Sequence, residues 1–114
     1  MSDTDKELWK KRLVFYDELV AKCPAFERKG KTMPYTSANG YMFSLLNKAG
    51  ELGVRLPKAT GEAFIEKHNS GKFTSHGATM RGYVLIPEDL FSKPSLLIEL
   101  LNEGHKYVMS LPPK

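Results

Sequence analysis

The sequence holds one cysteine, Cys23, so no disulfide can close within the chain and no cysteine-rich zinc site can be assembled. Histidine is nearly as scarce. His68, His76 and His105 are far apart and show neither the H-x-x-x-H nor the H-E-x-x-H spacing that puts two imidazoles on one metal. There is no G-x-S-x-G elbow, and no serine stands in a recognisable nucleophile context. The longest apolar cluster, SLLIELL, is too short to cross a bilayer, and the opening MSDTDKELWKKRL lacks the apolar core of a signal peptide. A disulfide scaffold is thus excluded, and hydrolytic or metal chemistry is left without a motif. The expectation is a cytoplasmic protein that is not an enzyme, holds no cofactor or metal and makes no membrane contact.

At 114 residues, with 41% apolar and 26% charged side chains, the composition is that of one folded domain over residues 1–114. A formal net charge of +4 permits attraction to nucleic acid or another anionic surface. Cys23 reads as a small apolar residue at a helix end.

Thr4 and Glu7 form a T-x-x-E capping box ahead of Trp9, Leu13, Tyr16, Val20 and Cys23, which recur at helical spacing, with Leu8, Phe15 and Leu19 widening the stripe. Pro24 closes this first helix. KTMPYTS is rich in β-formers, and its Pro34 places it at a sheet edge or a bulge. Asn39 and Gly40 then suit a tight turn, and Gly50 suits a second, so YMFSLLN and ELGVRLP follow as antiparallel strands. The two-residue period puts Tyr41, Phe43 and Leu45 on one face, and Leu52, Val54 and Leu56 on one face of the partner strand.

A short helix is predicted over about 60–68, with Thr60 as its cap and Phe64 and Ile65 inward. SGKFTSHGAT reads as a loop, MRGYVLI as a strand and PEDLF as a turn. Leu97, Leu101, Gly104, Val108 and Leu111 mark a last helix, capped by Ser92 or Ser95, with His105 partly buried and hydrogen-bonded beside its stripe. Clustered strands between terminal helices argue an α+β fold, an antiparallel sheet of about four or more strands flanked by N-terminal and C-terminal helices.

The stretch AFERKGKT ends like a phosphate-binding P-loop, but Ala25 stands where the first glycine belongs, a helix precedes it and Pro34 and Tyr35 begin a strand after it. It reads as a basic loop between helix and sheet. That loop carries Arg28, Lys29 and Lys31, and the sheet beyond it carries Arg55, Lys58 and Arg81, with Tyr35, Tyr41 and Tyr83 as interleaved aromatics. Cations beside aromatic rings hold phosphates and stack bases in sheet-based nucleic-acid binders.

The run ERKGKTMPYTSANGYMFSLLNKAGELGVRLP, then a short helix, MRGYVLIPEDLF and a final helix ending YVMSLPPK, resembles the TfoX/Sxy N-terminal-domain family, related in fold to YjbR/MmcQ-like proteins, over roughly residues 15 to 114. Where the regulators read MFGG-like, this chain reads MPYTSANG. The resemblance implies an antiparallel sheet with flanking helices and a regulatory role. Full-length TfoX/Sxy regulators of bacterial competence act with the cyclic-AMP receptor protein and carry a further helical domain.

Three functional readings follow. The first is a non-enzymatic regulatory domain that contacts a protein or nucleic acid through Arg28, Lys29, Lys31, Tyr35 and Asn39, with Arg55 and Arg81 nearby. The second is a small-molecule or anion-binding protein, with or without an undetected activity, whose pocket lies between sheet and last helix around Tyr41, Arg55, Tyr83 and His105. The third is weak self-association into a homodimer through the edge strand that holds Pro34.

Overall fold

The computed structural model describes residues 3–75 and 77–114, with side chains from residue 6 onward, so His76 lies outside the described residues. Helix α1 (Asp3–Ala21) buries Tyr16, Leu19 and Val20, and Cys23 follows just past its end. Two expectations for this helix change. Thr4 lies inside the first turn instead of at the cap, and Leu8 is 40% exposed because the packed stripe is centred on the C-terminal half.

Strands β1 (Tyr35–Ala38) and β2 (Tyr41–Leu46) are joined by Asn39 and Gly40 at φ 56° and 84°, the paired positive angles of a hairpin turn that follows the strand twist. Thr36 faces Ser44 while Ser37 faces Met42, so Phe43 is the extra residue of a β-bulge. The bulge breaks the two-residue period. Tyr41 and Phe43 pack toward the helices as expected, but Leu45 turns to the opposite face. Ser44, fully buried, instead joins Tyr16 and Thr36 in a chain of three hydroxyls beneath α1, where each polar atom finds a partner.

Strand β3 (Leu52–Arg55) follows the turn at Gly50 and, with Leu56 beyond it, sends Leu52, Val54 and Leu56 into the helix-side core. The turn is organised by Asn47, whose Oδ1 accepts from the amides of Ala49 and Glu51 and whose amide donates to Thr74 O at 2.8 Å. Helix α2 (Lys58–His68) starts two residues before Thr60, because Pro57 already supplies the fixed φ of the cap position. It buries Gly61 and Phe64.

The stretch expected as a loop forms a strand, β4 (Lys72–Ser75), antiparallel to β5 (Ala78–Leu85). Four residues with one large apolar side chain carry no legible period. The strand exists because β5 offers a free edge to pair with and because Phe73, fully buried, has a place to go. The sheet order is β1-β2-β3-β5-β4, every neighbour antiparallel, which leaves β1 and β4 as edges.

A 3-10 turn (Glu88–Ser92) leads into helix α3 (Pro94–Met109), which buries Leu97, Leu100, Leu101, Gly104 and Val108. Neither expected serine caps it. Lys93 holds the cap position, Pro94 opens the first turn, and the Ser92 hydroxyl donates back to Asp89 O. Gly104 lets α3 press on the sheet: a Cβ there would stand 3.0 Å from Arg55 O and 3.2 Å from Phe43.

Helices α1, α2 and α3 therefore contribute to one core on one face of the sheet. The other face carries a small second cluster, Leu45, Phe73 and Tyr83, rimmed by partly buried Met33, Tyr35, Met42, Met80 and Leu85. The architecture is the expected α+β one: N-terminal helix, five-stranded antiparallel sheet and C-terminal helix packed on it. Among the described residues no helix is long and apolar enough to cross a membrane.

Candidate functional site

Charge is divided by layer. All but Glu27 and Glu51 of the 13 acidic residues belong to the helical segments, whereas more than half of the 17 basic residues lie in strands and connections. No strand contains an Asp or Glu, and neither do the stretches 28–50 and 67–87. The two acids near the sheet are turned to other uses. Glu27 lines an open hollow of about 340 Å³ beside α1 with Asp17 and Cys23, and the Glu51 carboxylate accepts from the Asn47 amide. Cations thus outnumber acids in the strands and their connections, which makes this part of the chain the electropositive one.

Lys29 is fixed there by backbone pairing. Lys29 N donates to Tyr35 O at 2.7 Å and Tyr35 N to Lys29 O at 2.9 Å, a bridge that sets the two residues directly opposite each other. Opposed residues of an antiparallel pair send side chains to the same face, so exposed Lys29 shares the side of Tyr35, which packs on the outer cluster. Lys31 is exposed two residues on, in the bend that leads to Met33 of the same rim. Arg81 is exposed on β5 between Met80 and the φ 85° bend at Gly82.

Arg28, Asn39 and Tyr83 are placed differently. The Arg28 guanidinium is bidentate to Asp17, with Nε 2.6 Å from Oδ1 and Nη2 3.1 Å from Oδ2, and it also donates to Gly30 O, so it pins the loop to α1. The hydrogen bond to Asp17 raises its already high pKa further. Asn39 turns its amide to α3, donating to Val108 O at 2.9 Å and Leu111 O at 2.8 Å, and so closes the helix end instead of facing solvent. Tyr83 is buried, stacks on Phe73 at 6.0 Å and donates to Met42 O, which leaves no ring face for a ligand. Burial pushes its hydroxyl up to about 12, against the pull of nearby Arg55.

Arg55 stands opposite Tyr83 in the ladder, and its Cζ lies 5.5 Å from the Tyr41 ring and 5.6 Å from the Tyr107 ring. Tyr41 and Arg55 thus meet, but Tyr83 lies on the outer face while His105 stacks on Phe26 and meets Phe43 edge-on in the helix-side core. The sheet separates them, so those four residues do not line one pocket. His105 is held by ring contacts, and no side-chain hydrogen bond to it is found among the described residues.

No group of three or more His, Cys, Asp or Glu side chains is placed to hold a metal among the described residues. Cys23 is buried, and desolvation pushes its thiol up, away from the reactive thiolate. What sequence reasoning missed is the thioether rim of Met33, Met42 and Met80 and the layered charge. The second had a readable signal in the two long stretches without acid. Comparison of the chain with protein-family models, with curated proteins and with solved structures finds no match in any of the three.

Proposed function

We propose that this chain is a non-enzymatic cytoplasmic regulatory domain of the TfoX/Sxy N-terminal type that binds an anionic macromolecular partner, nucleic acid or an acidic protein surface, on the outer face of its sheet. The family assignment rests on the quoted sequence stretches and agrees with the antiparallel sheet and flanking helices. The observation that carries the binding function is the partition of charge: a sheet without one carboxylate, bordered by exposed Lys29, Lys31 and Arg81, on a molecule whose acids sit on its helices. Such a surface attracts anions, and the helix-side acids orient the approach.

The test is fluorescence anisotropy of labelled duplex DNA, single-stranded DNA and an acidic peptide, titrated at low and physiological salt. Binding to one of them that weakens on combined Lys29→Ala, Lys31→Ala and Arg81→Ala substitution supports the proposal. Silence of all three probes at low salt removes it.

A small-anion function keeps one observation in its favour: Arg55 lies between two tyrosines and is in no ion pair among the described residues. A thermal-shift screen with metabolites and nucleotides tests it, since a ligand that binds only the folded state raises the melting temperature.

A further inference from the structure

We propose that the partner of the outer sheet face is single-stranded nucleic acid, with phosphates on Lys29 and Lys31 and an unpaired base stacked on Tyr35. This assignment rests on the anion-binding role of that face and names its ligand.

The centre of the face is apolar and its borders are cationic. Tyr35, Met33, Met42 and Met80 are partly exposed above Leu45, Phe73 and Tyr83, which are buried and hold the platform rigid. A duplex offers a surface of phosphates and an acidic peptide a run of carboxylates, and neither makes use of an apolar centre. An unpaired base does: its π face stacks on a phenol ring and packs on thioethers, while its own phosphate reaches a neighbouring cation. Lys29 and Tyr35, directly opposite in the ladder, have Cβ atoms about 5 Å apart, the reach of one nucleotide.

Tyr35 is held ready for this. Its ring lies against Gly30, whose φ of 80° and missing side chain admit it: a Cβ there would stand 3.1 Å from Tyr35 Cδ1. A ring already immobilised loses little entropy on stacking. From β1 to β5 the platform spans three strand spacings, about 14 Å, room for a few nucleotides. The helices lie on the opposite face, so none is positioned to enter a major groove while this face is engaged.

The experiment compares labelled oligo-dT, oligo-rU, an abasic strand of equal phosphate number, a duplex and oligo-glutamate, each about 12 units long, within the usual site size of such binders. The expected result is that oligo-dT or oligo-rU binds about tenfold or more tighter than the abasic strand, with the dT to rU ratio telling DNA from RNA. Tyr35→Leu, which keeps apolar volume without a π face, is expected to abolish that tenfold preference, and Tyr35→Phe to keep it. Joint Lys29→Ala and Lys31→Ala substitution is expected to flatten the log–log salt slope by about 1.4, roughly 0.7 for each lost contact on a single strand. Equal binding of abasic strand and oligo-dT overturns base stacking and leaves the anionic face standing. Preference for the duplex or for oligo-glutamate overturns the single-strand assignment in favour of that partner. Binding to none of the probes overturns both.

Discussion

The ring of Phe73, fully buried on the outer face of the sheet, lies so close over Gly53 that a Cβ at residue 53 would overlap three of its carbons. Glycine in a strand interior ordinarily weakens it, but here it makes room for the side chain that anchors β4. Gly53→Ala is expected to cost about 1–3 kcal/mol by overpacking. In a thermal melt that is a fall of roughly 4–20 °C in Tm, and an unchanged Tm would show that Phe73 is free to move aside.

Asn39 separates two contributions at one position. It holds φ 56°, and its amide donates to Val108 O and Leu111 O. Asn39→Gly keeps the backbone angle and loses both hydrogen bonds, about 1–2 kcal/mol. Asn39→Ala adds the strain of a left-handed angle, roughly 1 kcal/mol more. Urea titrations that rank wild type, Gly and Ala in that order check this.

The Arg28–Asp17 pair is half open to water, with side chains 26% and 42% exposed, so its coupling is expected below about 1 kcal/mol and weaker in salt. A double-mutant cycle with Arg28→Ala and Asp17→Ala measures it. Since the guanidinium already holds Asp17 and Gly30, Arg28→Ala is expected to weaken binding to a polyanion less than Lys29→Ala does.

Tyr83 gives an alkaline signature. Burial holds its folded pKa at about 12, against 10.0 for the free group, so the folded state keeps a proton that the unfolded state releases. Its contribution is fully present below pH 10 and is lost as pH rises from there toward 12. Burial moves Tyr16 in the same direction. At neutral pH, Tyr83→Phe is expected to be about 1 kcal/mol less stable, through loss of the hydrogen bond to Met42 O. The order of wild type and variant reverses between pH 10 and pH 12, which urea midpoints across that range check.

Features set by neighbours a few residues apart were legible without a structure. The stripe of α3 is a 3.6-residue period, the Asn39–Gly40 turn is a demand for positive φ, and Leu52, Val54 and Leu56 are a period of two. Pro34 lacks an amide hydrogen, and the strand after it is indeed an edge. Half of the site was visible in the same way, as the basic loop with Lys29 and Lys31 leading to Tyr35.

Pairing decided the rest. β4 is a strand because β5 passes beside it, and Leu45 faces outward because Phe43 is bulged against β1. Nothing within a few residues of either encodes the partner strand. The same holds for the cations: Arg28 and Lys29 are neighbours in sequence, yet one is locked to Asp17 on α1 and the other is exposed opposite Tyr35. By itself the sequence determined an α+β domain with a basic, acid-poor sheet, since composition and period are local properties. Only the tertiary structure decided which charges and rings share one open face, because that depends on contacts between residues far apart in the chain.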